Sequence, residues 1–219
     1  MKFTKNEIRR GMLLYAVTDR SWLREGQSLS SVCEEVLANG ATFLQIREKD
    51  LDAGSFEKEA AALKGLCARY RVPYVVNDNL QIALAIDADG VHLGQSDIQG
   101  RDIRRLIGPD RILGISAGTV EEAAAAEAAG ADYIGVGAVF GTGTKPDARS
   151  LTVEKLREIC DAVSIPVVAI GGINGRNMMA LAGSGVDGVA VVSAIFGAED
   201  PSMATARLRA LAGELVGHG

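Results

Sequence analysis

The sequence predicts an α/β protein, a single-domain (β/α)8 TIM barrel of 219 residues. Three observations predict it. A motif of a small residue, then Ala or Val, then Asp or Thr recurs before apolar runs, with its third residue at positions 42, 89, 132 and 187. Four other apolar runs alternate with these, and segments with apolar residues at helical spacing separate all eight. No linker divides the chain, which favours a barrel over a doubly wound open sheet.

The predicted elements follow in order along the chain. Strands are predicted at 13–17, 72–76, 111–115, 132–140 and 165–170, and three more begin after Thr42, Asp89 and Asp187. Helices are predicted at 29–38, 56–70, 120–129, 153–162 and 203–216, with shorter segments at 79–85, 101–107 and 174–182. Thr119 and Thr152 precede acidic residues and are predicted N-caps. Residues 1–11 are expected to be a short lead-in to one domain spanning 1–219.

Composition argues against several classes of function. The net charge is −5 and no dense basic run occurs, so neither a nucleic acid nor a membrane surface is an expected partner. Three widely spaced cysteines, Cys33, Cys67 and Cys160, are predicted to be reduced thiols of a cytoplasmic protein. No apolar run is long enough to span a membrane. The sequence leaves open whether the chain forms a homo-oligomer.

The second predicted strand ends in an unusual polar run. In a (β/α)8 barrel the functional residues lie at the carboxyl ends of the strands, and this strand ends in Gln45-Ile46-Arg47-Glu48-Lys49. Alternate residues of a strand share a face, so Gln45 and Arg47 are expected to project together from the barrel mouth, with Lys49 just beyond. Two cations at one strand end predict an anion site. A solvated run of charges is the competing interpretation.

Two acidic residues follow neighbouring strands, Asp78 after the third and Asp97 after the fourth. Adjacent parallel strands lie about 4.8 Å apart, which places the two carboxylates to share one hard cation. Magnesium takes one or two carboxylates and completes its shell with water and substrate phosphates. The sequence therefore favours a Mg²⁺ site over an arrangement in which Asp78 caps the next helix and Asp97 lies in a turn.

The loop after the sixth strand combines groups suited to phosphate oxygens. It contains Thr142, Gly143, Thr144 and Lys145, which supply two hydroxyls, a flexible backbone and an ammonium group. An ordinary polar turn has similar residues, so the motif alone leaves both interpretations open.

The remaining strand ends carry small and hydroxyl residues. Gly172 follows the seventh strand and Val192-Ser193 follows the eighth, where backbone N–H groups bind phosphate in barrels of this type. Ser116 ends the fifth strand and can donate a hydrogen bond to a ligand. His92, alone within the fourth strand, is interpreted as structural rather than catalytic.

Seven short motifs follow one another along the chain without a large gap. They are Gln45-Ile46-Arg47-Glu48-Lys49, Val76-Asn77-Asp78, Gly90-Val91-His92-Leu93-Gly94-Gln95-Ser96-Asp97, Gly114-Ile115-Ser116, Thr142-Gly143-Thr144-Lys145, Ala169-Ile170-Gly171-Gly172-Ile173 and Val191-Val192-Ser193-Ala194-Ile195. Each would be a weak signal by itself. Together they resemble the thiamine-phosphate synthase (thiamine-phosphate pyrophosphorylase) family over nearly the whole chain.

The resemblance implies a transferase of thiamine biosynthesis. Such a barrel condenses 4-amino-2-methyl-5-(diphosphooxymethyl)pyrimidine with a thiazole phosphate and releases pyrophosphate, with Mg²⁺ as cofactor. The residues implied to bind the pyrimidine diphosphate are Gln45, Ile46, Arg47, Glu48, Lys49, Asn77, Ser116 and Lys145. Those implied to bind the thiazole phosphate are Thr142, Gly143, Thr144, Gly172, Val192 and Ser193. The implied catalytic residues are Arg47, Lys49, Ser116 and Lys145, and the implied Mg²⁺ ligands are Asp78 and Asp97.

One position departs from the family pattern. Many relatives have His two residues after the serine that matches Ser116, where this chain has Gly118. The thiazole tautomerases, which resemble the synthases closely, use that histidine for proton transfer, so its absence argues against a tautomerase. Two further functions stay open. One is an isomerase or epimerase of a phosphorylated small molecule, which would need an acid/base pair at the mouth, and the second is a non-catalytic phosphate-binding barrel.

Overall fold

A computed structural model describes residues 3–141 and 151–217. The strands in these residues are Leu14–Val17 (β1), Phe43–Ile46 (β2), Tyr74–Asn77 (β3), Gly90–Leu93 (β4), Ile112–Ala117 (β5), Tyr133–Val136 (β6), Val167–Ile170 (β7) and Gly188–Val191 (β8). The α-helices are Lys5–Gly11 (α1), Leu29–Ala38 (α2), Ala53–Tyr70 (α3), Leu80–Ala85 (α4), Gln95–Ile98 (α5), Ile103–Ile107 (α6), Val120–Ala128 (α7), Val153–Asp161 (α8), Ser193–Phe196 (α9) and Pro201–Gly217 (α10). Single 3-10 turns occupy Arg20–Trp22 and Met178–Leu181.

The strands pair in sequence order and close into a parallel barrel. The closing pair is β1 with β8, in which Tyr15 lies opposite Ala190. Closure confirms the predicted (β/α)8 barrel and excludes an open doubly wound sheet. It also brings the carboxyl ends of all eight strands to one rim.

Most predicted helices are present with small changes at their ends. The predicted helix 29–38 matches α2, and Thr119 and Thr152 cap α7 and α8 as predicted. The predicted helix 56–70 begins earlier, at Ala53, because the Asp52 side chain accepts a hydrogen bond from the Ser55 N–H group and caps it there.

The prediction of a nine-residue strand at 132–140 is wrong. Strand β6 ends at Val136. The apolar residues beyond it leave the strand and follow the end of β7, where Val139 N–H donates to Ile170 O at 3.1 Å and Phe140 N–H donates to Gly171 O at 3.0 Å. The run stays buried without being a strand, so its hydrophobicity could not reveal where the strand stops.

The amino-terminal lead-in contains a helix that the sequence did not predict. A capping box at Thr4 starts α1. Ile8 from this helix and Met12 just after it are almost wholly buried and pack in the barrel interior with Tyr15, Phe43 and other residues. They fill the end of the barrel opposite the rim that carries the strand ends.

The sequence repeat has a structural role at the amino ends of the strands. In each copy, the side chain of the third motif residue accepts a hydrogen bond from a backbone N–H group at the start of an odd-numbered strand. The pairs are Thr42 Oγ1 with Leu14 N–H (2.8 Å), Asp89 Oδ2 with Tyr74 N–H (3.1 Å), Asp132 Oδ2 with Leu113 N–H (2.8 Å) and Asp187 Oδ2 with Val167 N–H (2.8 Å). Each satisfies a strand-starting donor near the core, where an unpaired N–H group is costly.

The three cysteines are free thiols, as predicted. Cys33 in α2 and Cys67 in α3 are buried, and Cys160 in α8 is half-buried. None of the helices that the structure describes combines the length and apolar character needed to cross a membrane.

Replacing Asp132 by alanine tests the role of the repeat. Its Oδ2 accepts from Leu113 N–H and also from Arg104 Nη2 at 2.7 Å, so Asp132→Ala leaves a strand donor without an acceptor. We expect the free energy of unfolding, measured by urea titration, to fall by about 1–3 kcal/mol. Asp161→Ala, at the exposed end of α8, is the control and is expected to change it by less than about 0.5 kcal/mol. Equal effects of the two substitutions would contradict this role.

Candidate active site

A cavity of about 480 Å³ opens at the carboxyl ends of the strands. Seven of the predicted site residues line it, namely Gln45, Arg47, Asn77, Ser116, Gly172, Val192 and Ser193. They come from β2 and the residue after it, from β3 and β5, and from the segments after β7 and β8. Barrel closure therefore brings together side chains that lie up to about 150 residues apart in the sequence.

Backbone and side-chain contacts fix Arg47 at the mouth of this cavity. Thr18, which is fully buried, donates its N–H group to Gln45 O and accepts the Arg47 N–H group on its Oγ1, each at 2.9 Å. These bonds join the end of β1 to the end of β2. Arg47 is only 9% exposed and lines the cavity, which places a cation beside the amide of Gln45.

The residues that alternate with Gln45 and Arg47 point the other way. Ile46 is completely buried in the layer between strands and helices, and Glu48 faces Arg20, whose Nε donates to Glu48 Oε2 at 2.6 Å. Arg20 also pairs with Glu59 of α3. Because side chains alternate along a strand, neither Ile46 nor Glu48 lines the cavity. Their implied part in binding the pyrimidine diphosphate stays a prediction.

Burial perturbs the Glu48 carboxyl group. Its side chain is 1% exposed, and its Oε1 has no hydrogen-bond partner among the described residues. Burial raises the pKa of Glu48 above the ordinary value, and the hydrogen bond from Arg20 offsets part of that rise. Glu48 thus holds Arg20 and the segment after β1 against the end of β2.

A chain of hydrogen bonds crosses the barrel at the inner end of the cavity, and we call it the interior chain. Gln45 Nε2 donates to the Tyr15 hydroxyl at 2.7 Å, and the Tyr15 and Tyr133 hydroxyl groups are 2.7 Å apart. The Tyr133 hydroxyl is 2.9 Å from His92 Nδ1, and His92 Nε2 is 3.0 Å from Ser116 Oγ. The interior chain therefore links two cavity residues, Gln45 and Ser116, through three buried side chains.

A glycine makes room for the centre of the interior chain. A Cβ atom at Gly114 would lie 2.2 Å from the Tyr133 ring, so any other residue there would collide with the phenol. The Tyr133 ring also contacts Phe43, with ring centroids 5.6 Å apart. His92, which the sequence suggested to be structural, lines the cavity and contacts Ser116.

The two predicted metal ligands lie on the same rim without lining the cavity. Asp78 follows β3, and its N–H group donates to His92 O at 2.9 Å, whereas Asp97 lies in α5 after β4 and its Oδ2 accepts the Gly94 N–H group at 2.9 Å. Asn79, not Asp78, caps the helix after β3. Lys49 is exposed and also lies outside the cavity lining.

The chemistry of these donors fits magnesium held jointly with a ligand. The described residues contain no group of three or more His, Cys, Asp or Glu side chains that could hold a metal. Two carboxylates match the ligand set of Mg²⁺, which keeps waters and takes phosphate oxygens from a substrate. They do not match a cage made entirely by the protein.

The opposite side of the cavity is built from glycines and a helix start. Gly172 has a φ of +67°, and a Cβ atom there would lie 2.4 Å from Phe140 O. The side-chain amides of Asn174 and Asn177 donate to Gly172 O at 3.1 and 2.9 Å. Val192 and Ser193, at the start of α9, complete this side. The predicted residues Thr142, Gly143, Thr144 and Lys145 lie outside the described residues.

Sequence reasoning missed several residues of the cavity. Tyr15, Gln95 and Glu122 line it, together with Gly118. Gln95 Nε2 donates to Ser116 O at 2.7 Å, and Glu122 Oε2 accepts the Gly118 N–H group at 2.6 Å. Tyr15 looked like an ordinary strand residue and Glu122 like an acid in a first helical turn, so only their position in the folded barrel reveals their place in the site.

The chain is similar to known proteins in both sequence and structure. A family model described as thiamine monophosphate synthase matches residues 14–195. A thiamine-phosphate synthase of Clostridium tetani is 46% identical over 195 residues, which cover 89% of this chain and 93% of the relative. One of Ruminiclostridium cellulolyticum is 48% identical over 187 residues, covering 85% and 89%. The solved structure of thiamine phosphate pyrophosphorylase from Pyrococcus furiosus matches with a TM-score of 0.86 at 41% identity, covering 95% of this chain and 99% of that one.

Glu48→Gln is expected to change the pH dependence of stability. Because the folded pKa of Glu48 lies above its ordinary value of 4.5, the folded protein binds more protons than the unfolded chain just above pH 4.5, and its stability falls as the pH rises through that window. The Glu48→Gln variant has no carboxyl group at this position, so it does not lose stability in this way as the pH rises. We therefore expect its free energy of unfolding, relative to the unsubstituted protein, to improve with rising pH.

Urea titrations at a series of pH values from about 4 to 7 measure this difference. Glu57→Gln, an exposed glutamate of α3, is the matched control for losing one carboxylate. If the free energies of unfolding of Glu48→Gln and the unsubstituted protein differed by the same amount at every pH, burial would not perturb the Glu48 carboxyl group.

Proposed function

The chain belongs to the thiamine monophosphate synthase family, and from that premise we propose that the cavity at the strand ends is where it makes thiamine phosphate. The enzyme is a transferase of thiamine biosynthesis. It condenses 4-amino-2-methyl-5-(diphosphooxymethyl)pyrimidine with a thiazole phosphate to give thiamine phosphate and pyrophosphate. We further infer that it works in the cytoplasm on small phosphorylated substrates, without a nucleic-acid or membrane partner.

One observation carries the assignment of the site. A single cavity of about 480 Å³ has two chemically different sides. Arg47, Asn77 and Ser116 offer a cation, an amide and a hydroxyl on one side, which suits a diphosphate. Gly172 and Ser193 offer backbone groups and a hydroxyl on the other, which suits a phosphate monoester. A reaction that joins two phosphorylated molecules needs both sides within one space.

The proposed reaction breaks one bond and forms another at the pyrimidine methylene carbon. The C–O bond to the diphosphate breaks, and the diphosphate leaves with the electron pair. The thiazole nitrogen then forms the C–N bond with its own lone pair, so no general base is needed. A glycine at position 118, where a histidine would supply a base, is consistent with this chemistry.

The residues of the chain act mainly on the departing charge. Arg47 is held at the cavity mouth by the Thr18 contact and would bind diphosphate oxygens as a positioned cation. Ser116 would donate a hydrogen bond to the same group, and Lys49 and Lys145 are proposed to add positive charge at the rim. Thr142, Gly143 and Thr144, by family resemblance, would help Gly172, Val192 and Ser193 to bind the thiazole phosphate.

Asp78 and Asp97 are proposed to hold Mg²⁺ beside the diphosphate. When bound, the ion would neutralise charge on the diphosphate oxygens and so favour its departure. The protein supplies the two carboxylates in the segments that follow the neighbouring strands β3 and β4. Asn77 Nδ2 donates to Asp78 Oδ2 at 2.6 Å, which orients that carboxylate.

An assay of thiamine phosphate formation from the two substrates and Mg²⁺ tests the function. We expect product from the unsubstituted protein, and we expect Lys145→Ala to lower turnover about a hundredfold or more, because a positioned cation contributes about 3–4 kcal/mol. Lys155→Ala, which removes an exposed lysine paired with Glu158 on α8, is the control and should keep full turnover. Near-normal turnover in Lys145→Ala would remove Lys145 from the mechanism, and absence of product from the unsubstituted protein would overturn the function.

Calorimetric titration tests the metal site without relying on activity. In the presence of inorganic pyrophosphate we expect Mg²⁺ to bind the unsubstituted protein, and we expect Asp78→Asn combined with Asp97→Asn to weaken that binding at least about tenfold. Replacement of exposed Asp161 by Asn is the matched control. Unchanged Mg²⁺ affinity in the double variant would place the metal elsewhere.

A further inference from the structure

The interior chain places three buried side chains with hydrogen-bonding groups in a barrel core that could be apolar. Tyr15 is 1% exposed, Tyr133 is fully buried and His92 is 8% exposed. Three polar side chains fill the centre of the barrel, and each contacts the next within hydrogen-bond distance. Their hydrogen bonds to one another explain how these polar groups can be buried. The direction in which each hydroxyl or imidazole donates its proton also decides what Ser116 presents to the cavity.

The orientation of the Gln45 side-chain amide, which turns Nε2 rather than Oε1 to the Tyr15 hydroxyl, sets that direction. Gln45 Nε2 is a donor only, so the Tyr15 hydroxyl accepts from it. The hydrogen bonds of the described residues give the Tyr15 hydroxyl two partners, Gln45 and Tyr133, and its single proton is satisfied only if it points to Tyr133. Burial raises the pKa of both phenols above the ordinary value, so each keeps the proton that it has to donate.

The direction of the Tyr15 proton also determines where the protons of Tyr133 and His92 point. The Tyr133 hydroxyl, having accepted from Tyr15, donates its own proton to His92 Nδ1. A neutral imidazole whose Nδ1 accepts must carry its proton on Nε2, and that proton points to Ser116 Oγ. Ser116 Oγ has no other hydrogen-bond partner among the described residues, so its own proton is left for the cavity that Ser116 lines.

We propose that Tyr133 and His92 are positioning residues, which fix the His92 Nε2–H tautomer and so make the Ser116 hydroxyl an obligatory donor towards the ligand in the cavity. Diphosphate oxygens accept hydrogen bonds and cannot donate them when ionised. A serine that already accepts from His92 presents its proton to such an oxygen, whereas a serine that donated to His92 would present only lone pairs. The inference deepens the proposed function and rests on it for its kinetic test, but its spectroscopic test is independent of any activity.

Nuclear magnetic resonance of ¹⁵N-labelled histidine measures the tautomer directly. The chain has two histidines, His92 and His218, and His218→Gln assigns the signals. In slightly alkaline buffer we expect the protonated nitrogen of His92 to be Nε2. We expect Tyr133→Phe, which removes the donor to Nδ1, to give a mixture of the two tautomers. An Nδ1–H tautomer in the unsubstituted protein would reverse the bonds of His92 to Tyr133 and to Ser116 and overturn the proposal.

Steady-state kinetics tests the effect on Ser116. Tyr133→Phe and Tyr15→Phe each break the interior chain without adding an atom, and we expect each to lower kcat about tenfold, the effect of about 1.4 kcal/mol, with KM changed by less than about twofold. Two variants are used so that one failure to fold leaves the other, with circular dichroism checking both. In a Ser116→Ala background we expect Tyr133→Phe to have no further effect.

Tyr74→Phe is the matched control for losing a buried phenol hydroxyl. Tyr74 is fully buried, but its hydroxyl donates to Ala60 O outside the interior chain, so kcat should stay unchanged. An equal loss of kcat in Tyr74→Phe, or a full tenfold loss from Tyr133→Phe in the Ser116→Ala background, would mean that the phenols act through general stability and would overturn the proposal. If the unsubstituted protein forms no thiamine phosphate, the proposed function fails and the tautomer measurement alone decides the inference.

Discussion

Closure of eight very short parallel strands is the constraint on which the rest of this structure depends. Seven of the strands have four residues and β5 has six. Strands this short leave few ladder bonds to hold each one, so the N–H groups at their starts need other acceptors. The repeated Thr or Asp before every even-numbered strand supplies such acceptors to the odd-numbered strands at the amino end. Ile8 of α1 and Met12 just after it fill the opening there. The cavity opens at the opposite end.

Much of this architecture was predictable because it follows from local periodicity. The repeat at positions 42, 89, 132 and 187 marks where strands begin, and apolar runs mark the strands themselves. What hydrophobicity cannot report is where a buried run ceases to be a strand, and for that reason the run after Val136 was misjudged. The helix at the amino terminus was missed for a related reason, since its role depends on the barrel opening that it covers, which no local pattern contains.

The same distinction separates the parts of the site that were predicted from those that were not. Strand alternation correctly directs Gln45 and Arg47 to one face, and applied consistently it also directs Ile46 and Glu48 to the other. Family resemblance groups all four in one motif, but the structure divides them between the cavity and the layer under the helices. Motif membership is therefore compatible with two different tasks. Arg47 faces the ligand, while Glu48 holds Arg20 and so ties the loop after β1 to the strand that carries Arg47.

The barrel interior shows that the cavity and the core are not independent. A core of aliphatic residues would avoid the cost of burying hydroxyl and imidazole groups, and that cost is avoided here only because each group finds a partner. The arrangement also requires a glycine at position 114, since a Cβ atom there would collide with Tyr133. A core built for stability alone has no need of a polar row that starts at Gln45 and ends at Ser116, both of which line the cavity. A satisfied network holds its members in one arrangement, and local departures from the most stable core are expected where a site must be held in a single geometry.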